Sequence, residues 1–433
     1  MTSNTANMAA PKGGYKQAMA IIGILFFIFG FVTWLNSVLI PFLRQACELS
    51  ALQAFFVTFA FYISYFVMAI PSSGILKRIG FANGMSVGLV TMAVGSLIFI
   101  PAAQLRTFPL FLLGLFVQGT GLALLQTASN PYVTILGPIE SAAKRISIMG
   151  ICNKIAGMMG ILVLGKLLFS DTKELSIKIE SLTGAAKEAE LDLLASRVIV
   201  PYAIMTGVLL LLAFMVRKAH LPEINPEEDD KTAAAEADLY GRSSVFQIPY
   251  LMLGVLCLFL YVGVEVLAID SLTLYGEHNG ISKDVANNFS IYSLIGFTVG
   301  YIIGIVTIPK YMSQKTGLIM SAVLGILFTI GALVTTGMTS IVFVILLSFA
   351  HSLMWPGIWP LAINKLGRFT KLGSALLIMG IAGGALVPLV YGAIADATHN
   401  LQMPYAIMIP CYLYILYFAV AGHKKGLPKL AMA

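Results

Sequence analysis

Long apolar runs separated by short polar segments dominate the chain. A helix needs about 20 mostly apolar residues to cross a bilayer, because its backbone amides must pair within the helix once water is gone. Twelve such runs lie near residues 17–43, 51–76, 82–103, 108–135, 143–169, 198–217, 247–275, 284–308, 316–336, 340–363, 372–396 and 402–421. The pattern predicts an all-α membrane protein with twelve transmembrane helices.

The same arrangement of apolar runs occurs twice along the chain. Runs 6 and 7 are separated by an acidic polar stretch that includes Pro222–Asp230. Matching residues stand 230 positions apart, as in Gly74 and Gly304, Gly137 and Gly367, and the Ile-Met-Gly-Ile strings at 148–151 and 378–381. We therefore predict two pseudo-symmetric six-helix bundles, 1–218 and 247–433, joined by a cytoplasmic linker at 219–246. In transporters built from such parallel repeats, the substrate lies near the midplane between the halves.

Composition and charge exclude several other classes of protein. Only 11% of residues are charged against 58% hydrophobic, whereas about a quarter of a typical soluble domain is charged. The net charge of +7 does not indicate a nucleic-acid partner, because most lysines and arginines, such as Lys77 and Lys144, fall on one side of the predicted membrane. The positive-inside rule then places both termini in the cytoplasm of a multi-pass inner-membrane protein. We expect a monomer.

The motifs in the sequence do not support an enzyme or a metal protein. There is no HExxH or Walker loop, the single GxSxG string, Gly84–Gly88, lies inside an apolar run, and the soluble segments are too short for a catalytic domain. The cysteines Cys47, Cys152, Cys257 and Cys411 have no metal-binding spacing. We therefore expect neither enzymatic activity nor a cofactor, with only a coupling sodium ion or proton left open.

Several motifs carry a resemblance to a known family. The loop Gly74–Gly80 resembles the loop signature of the major facilitator superfamily, although Lys77 stands where an acid is usual. The string Gln126–Pro138 resembles the fucose/galactose/glucose:cation symporter family of that superfamily. Further strings agree, at residues 35–41, 364–367 and 381–385. The resemblance implies a major facilitator fold and symport of a hexose with a cation by alternating access.

One departure from the family pattern concerns coupling. The L-fucose:proton symporter of the family has acids where this chain has Ser37 and Gln126, so the resemblance supplies no coupling pair. The pair Asn153-Lys154 is similar to the glucose/galactose branch, which implies glucose or galactose as the substrate. The alternatives are an L-fucose or N-acetylhexosamine symporter and, from another class, a membrane sugar receptor that transports nothing.

Three ionisable residues, Lys154, Glu265 and Asp270, fall within or at the end of apolar runs. Each costs roughly 2.5–3.5 kcal/mol near the bilayer centre, so such residues face a cavity and find partners. We predict a coupling site in which a carboxylate binds the cation while Lys154 competes for it. The alternative is a fixed ion pair that holds the halves together. The sequence does not decide whether Lys154 pairs with Glu265 or with Asp270.

The coupling cation is left open between a proton and sodium. A proton needs one carboxylate in a suitable environment, and Glu265 could supply it. A sodium ion needs several oxygens, which Glu265, Asp270, Asn130 and Asn36 could offer. Because the two acids of the fucose symporter are missing, the sequence favours sodium over the proton.

A hexose site needs aromatic faces for the sugar C–H groups and amides for its hydroxyls. The three tryptophans all lie in helices 1 and 10 instead of the interfacial belts. The predicted substrate-binding residues are Trp34, Asn36, Gln118, Gln126, Asn130, Asn153, Trp355 and Trp359. The alternative for each amide is a hydrogen bond between helices. His351 is interpreted as a packing residue.

Prolines interrupt helices 4 and 10 at corresponding levels of the two halves. We predict that Pro131 in helix 4 and Pro356 and Pro360 in helix 10 break or kink these helices, and that the breaks form gates beside the binding site.

Overall fold

Twelve long apolar helices form the fold. The computed structural model describes residues 12–135, 142–169, 178–179, 181–218, 243–364, 366 and 369–427. The spans are α1 (Met19–Ala46), α2 (Ala51–Leu76), α3 (Ala82–Gln104), α4 (Phe108–Asn130), α5 (Lys144–Leu168), α6 (Gly184–Lys218), α7 (Pro249–Asp270), α8 (Lys283–Thr307), α9 (Gln314–Val334), α10 (Gly337–Ile363), α11 (Leu372–Thr398) and α12 (Met403–Lys424). The prediction of an all-α protein with twelve membrane-spanning helices is confirmed. Most of the predicted linker, residues 219–242, lies outside the described residues.

The two halves show the same close helix packing at equivalent places. In the first half, a Cβ on Gly30 of α1 would overlap the backbone carbonyl oxygen of Asn153 on α5. In the second half, a Cβ on Gly383 of α11 would overlap the carbonyl oxygen of Phe259 on α7. Helices α1 and α5 correspond to α7 and α11 when the halves are superposed in sequence. Each bundle therefore uses one glycine to bring its first and fifth helices into backbone contact.

Several helices are broken within or just beyond the membrane-spanning region. The first helix consists of Lys12–Trp34 and Asn36–Ala46. The seventh helix continues after Ser271 as Leu272–His278, and α10 consists of Gly337–His351 and Met354–Ile363. In both halves the first helix is thus divided, and neither of these two divisions falls at a proline.

The predicted break at Pro131 does not occur, while the gating role of the three prolines stays a prediction. Pro131 does not interrupt its helix, because one helix runs unbroken over Phe108–Ile135. The break in α10 precedes Pro356, which lies in the first turn of Met354–Ile363. Backbone N–H groups in a first turn have no partner within the helix, so a proline there removes no helical hydrogen bond. Pro360 lies inside that second segment.

An additional helix covers one end of the bundle. The segment after α5 contains the helix Gly184–Ser196, which leads into the helix Ile199–Lys218. Because the spans alternate in direction and are even in number, Met19 and Lys424 lie at the same end of the bundle. We call that end the terminal end, and the opposite end, where Gly184–Ser196 lies, the distal end.

The distal end is closed by hydrogen bonds between the halves. The Asp396 carboxylate of α11 accepts from the Leu52 backbone N–H at 3.0 Å and from the Ser50 hydroxyl at 3.1 Å, at the start of α2. The Lys283 ammonium donates to the Gln45 side-chain carbonyl at 2.6 Å. These contacts join the two bundles on the far side of the midplane from Met19 and Lys424.

Candidate functional site

A cavity of about 120 Å³ lies between the two halves near the middle of the spans. Both bundles contribute to its wall, and aromatic rings, amides and charged groups alternate along it. Its lining includes Trp34, Tyr62, Tyr65, Gln126, Asn130, Asn153, Lys154, Tyr261, Glu265, Tyr301 and Trp355. We call this space the central cavity.

A buried ion pair crosses from one half to the other at the central cavity. The Lys154 Nζ of α5 lies 2.8 Å from the Glu265 Oε1 of α7. The two side chains are 5% and 10% exposed. Burying either charge alone would be costly, but each compensates the other here. Of the two carboxylates that the sequence offered to Lys154, the structure selects Glu265.

Aromatic rings from both halves also hold the Lys154 ammonium. It lies 3.9 Å from the ring centroid of Trp34 in α1 and 4.0 Å from that of Phe297 in α8. A cation over an aromatic face is stabilised by about 0.5–2 kcal/mol, more when water is excluded. The lysine is therefore placed at a junction of four helices, where any separation of the halves must change its surroundings.

Amides of the first half are arranged around the cavity by specific contacts. The Trp34 indole N–H donates to Asn153 Oδ1 at 2.9 Å, and the close approach of α1 to α5 at Gly30 places these two residues side by side. Gln126 Nε2 of α4 donates to the Tyr65 hydroxyl of α2 at 3.0 Å. Asn153, Gln126 and Tyr65 each keep further hydrogen-bonding capacity for a ligand, whereas the single donor of Trp34 is used.

The second half contributes mainly aromatic surface. Trp355 lines the cavity, and its ring stacks on that of Trp359, with centroids 5.7 Å apart and planes 12° apart. Tyr261 lies against Trp355 at 6.4 Å. Trp359 itself is only 2% exposed and lies behind Trp355, outside the cavity lining.

Other predicted site residues lie away from the cavity. Gln118 Nε2 donates to the Ser96 hydroxyl at 2.7 Å within the first bundle. Asn36 is 1% exposed, at the start of the second segment of the first helix, and does not line the cavity. His351 is fully buried, and its Nε2 lies 2.6 Å from the Tyr412 hydroxyl. Gln118 and His351 thus make contacts within their own bundles, whereas both polar side-chain atoms of Asn36 are buried without a hydrogen-bond partner among the described residues.

Asp270 has a different partner from Glu265. Its Oδ2 accepts a hydrogen bond from the Thr58 hydroxyl of α2 at 3.0 Å, and the residue is 2% exposed. The structure thus uses Asp270 to join the halves on the distal side of the ion pair. Of the four residues considered for a sodium site, only Glu265 and Asn130 line the central cavity. Within the described ranges no group of three or more His, Cys, Asp or Glu could hold a metal.

Four tyrosines of the site were not predicted from the sequence. Tyr62 and Tyr65, three residues apart on one face of α2, line the cavity together with Tyr261 and Tyr301. Tyrosine in membrane proteins is expected at the interfaces. Their positions in the middle of a span, away from the interfaces, could have identified these tyrosines as site residues.

Comparisons with known proteins agree with this architecture. The family model described as Major Facilitator Superfamily matches residues 22–388. A Brucella abortus glucose/galactose transporter is 33% identical over 414 residues, which cover 95% of each chain. An Escherichia coli L-fucose-proton symporter is 29% identical over 418 residues, covering 95% of this chain and 94% of the relative.

Solved structures show the same fold. A structure of the Escherichia coli fucose:proton symporter superposes with a TM-score of 0.73 at 27% identity, covering 94% of this chain and 98% of the other. A D-xylose-proton symporter superposes with a TM-score of 0.67 at 16% identity, covering 95% and 99% of the two chains, which indicates a common fold alone.

Proposed function

The chain belongs to the Major Facilitator Superfamily, and on that premise we propose that it is a hexose symporter that takes up glucose or galactose together with a cation. The observation that carries the proposal is the central cavity, which both halves share and which combines tryptophan faces with side-chain amides. A sugar ring packs its C–H face on an indole and directs its hydroxyls to amides. The relatives named as glucose/galactose transporters support the choice of hexose.

The size of the central cavity supports alternating access. Its volume is about 120 Å³. Ligand pockets usually measure about 300 Å³ or more. A hexose therefore enters only when the two halves move apart, which also separates the residues that now close over the site.

The Lys154–Glu265 pair supplies a coupling mechanism. A proton on Glu265 removes the charge that holds Lys154, but it leaves the buried ammonium uncompensated, which is unfavourable. The hydroxyl oxygens of a sugar in the cavity can then accept hydrogen bonds from the three N–H donors of that ammonium. The ion pair therefore breaks readily only when the proton and the sugar are both bound. A carrier that changes conformation only with both bound transports them together, which is symport.

We propose the proton as the coupling cation. Protonation needs only the one carboxylate that lines the cavity, whereas the oxygens considered for sodium are divided between the cavity and the Thr58–Asp270 contact. A relative named as an L-fucose-proton symporter supports the same choice. By the positive-inside rule, the distal end faces the periplasm and both termini lie in the cytoplasm.

Reconstituted transport tests the proposal. Liposomes containing the purified protein are loaded with unlabelled sugar and exposed to labelled glucose, galactose, L-fucose or N-acetylglucosamine. We expect labelled glucose or galactose to exchange into the vesicles, with the largest rate among the four sugars. Binding without exchange would instead identify a receptor, and exchange of only L-fucose or N-acetylglucosamine would change the assigned substrate.

A further inference from the structure

A second, larger cavity opens at the distal end of the bundle. It has a volume of about 750 Å³ and shares no lining residue with the central cavity. Its wall is formed by the outer part of the first helix, the helix Gly184–Ser196, the segment Leu272–His278 and the start of α8. We call it the outer vestibule. It lies beyond the Thr58–Asp270 contact that joins the halves.

Three charged groups in the wall of the vestibule are not paired with one another. Arg44, Glu277 and Lys283 all line it, and no ion pair within 4.0 Å joins any two of them among the residues that the structure describes. Lys283 donates to the amide of Gln45 instead. Elsewhere in the wall, Lys187 and Glu48 neutralise each other in an ion pair.

One carboxylate oxygen of Glu277 lacks a hydrogen-bond donor in the part of the chain that the structure describes. Its Oε1 is buried and accepts no hydrogen bond from any described residue. Burial raises the pKa of this carboxyl above its usual value, although the positive charges of Lys283 and Arg44 oppose the rise. A buried oxygen without a donor costs roughly 1–3 kcal/mol, so a ligand that brings a hydroxyl to it would be stabilised.

The mixture of charges restricts the chemistry of that ligand. An anion would pair with Arg44 and Lys283 but would be repelled by Glu277. A cation would pair with Glu277 but would be repelled by Arg44 and Lys283. A neutral polyol satisfies both kinds of group, because each hydroxyl donates one hydrogen bond and accepts others. The apolar side chains of Leu274 and Pro41 complete the wall with surface suited to C–H groups.

We propose that the outer vestibule is a second hexose site, which captures the sugar at the distal end while the central cavity is closed. The proposal rests on the proposed function, because it concerns the same substrate. Glu277 accepts hydrogen bonds from sugar hydroxyls, and Arg44 donates to them. The vestibule volume falls within the range of about 300–1,000 Å³ of known ligand pockets, which the central cavity does not reach in this conformation.

Binding stoichiometry of the full-length protein in nanodiscs tests the inference. Tritiated D-glucose and D-galactose are titrated onto wild type, Glu277→Ala, Glu277→Gln and the control Glu188→Ala, whose carboxylate pairs with Arg106 at the same end but does not line the vestibule. We expect two molecules per chain for wild type and the control. Glu277→Ala should retain one, with affinity at the other site reduced about tenfold or more, the loss expected for one charge-assisted hydrogen bond.

The two proposals fail in different ways. A single bound sugar in wild type, unchanged in Glu277→Ala, would overturn the vestibule site, while sugar exchange by the same preparation would leave the proposed function intact. Absence of both binding and exchange with every hexose would instead overturn the proposed function. Glu277→Gln, which preserves size and folding, should bind the second sugar more weakly than wild type; equal binding would overturn the role of the carboxylate.

Discussion

Lys154 and Glu265 join the two halves of the protein by a 2.8 Å ion pair at the central cavity. The same lysine lies over the rings of Trp34 and Phe297, one from each half. The charge that holds the halves together therefore lies beside the groups proposed to bind the sugar. This arrangement makes the pair the element whose state both the cation and the sugar can change.

Removing the charge of Glu265 separates coupling from exchange. The variant Glu265→Gln mimics the protonated carboxyl permanently, so we expect gradient-driven accumulation of hexose to fall at least about tenfold. Exchange of labelled for unlabelled sugar should continue, because it needs no net movement of protons. Both rates are measured in the same vesicles. If Glu265→Gln lost exchange as well as accumulation, a role restricted to coupling would be contradicted.

Breaking the ion pair from one side should destabilise the protein more than removing it entirely. A buried charge without its partner costs about 3–5 kcal/mol, whereas apolar replacement of both partners is often neutral. We expect Glu265→Leu to lower the thermal midpoint in detergent clearly, and Lys154→Met combined with Glu265→Leu to restore most of the loss. A double variant less stable than the single one would show that the pair is strongly stabilising.

The glycine contact at Gly30 gives a test with a matched control. A methyl group there would overlap the backbone of Asn153 and push α1 away from α5, whereas a methyl group at Gly23 of the same helix meets nothing within 4 Å. We expect Gly30→Ala to weaken sugar binding about tenfold or more, through displacement of Trp34 and Asn153. Gly23→Ala should bind as wild type does. Equal sugar binding by the two variants would show that this packing does not position the binding residues.

Much of the fold could be predicted from the sequence, because a membrane span requires a long apolar run and the duplication repeats its spacing. The charged site was predictable for the same physical reason, since Lys154 and Glu265 are costly in an apolar run. Their pairing was not, because helices 5 and 7 are far apart in sequence and their adjacency depends on how two bundles face each other.

The errors in the sequence prediction have a common cause. Breaks were expected at prolines, yet Pro131 lies in a continuous helix and the first helix divides at Leu35, which carries no such signal. The partner of Asp270 was not predictable either, because Thr58 belongs to the other half. Tertiary contacts decide where a helix breaks and which polar groups meet, and a single sequence does not contain them.

Aromatic surface in the second half should contribute to sugar affinity. Trp355 lines the central cavity, whereas Trp359 stacks behind it and is 2% exposed. We expect Trp355→Ala to raise the half-saturating sugar concentration for exchange about tenfold, because the sugar loses its apolar partner. Trp359→Phe keeps a ring in place and should change that concentration less than threefold. A larger effect at Trp359 would indicate that the cavity is shaped differently during transport.

The distal closure should depend on Asp396. Its carboxylate accepts two hydrogen bonds from the start of α2, so Asp396→Ala removes a contact that joins the halves. We expect this variant to favour conformations open at the distal end. Labelling of a cysteine introduced at Val266, in the central cavity, by a membrane-impermeant maleimide applied from the distal side should become several times faster. An unchanged labelling rate would show that Asp396 does not control this opening.

Proton movement during sugar entry tests the central claim most directly. A hexose is added to weakly buffered, sodium-free proteoliposomes that contain the protein, and the external pH is recorded. Wild type should make the external medium more alkaline as sugar enters, and Glu265→Gln should produce no such change. Sugar entry with an unchanged external pH would contradict proton coupling through Glu265, as would full alkalinisation by Glu265→Gln or, in a parallel assay with sodium added, sugar entry that requires a sodium gradient.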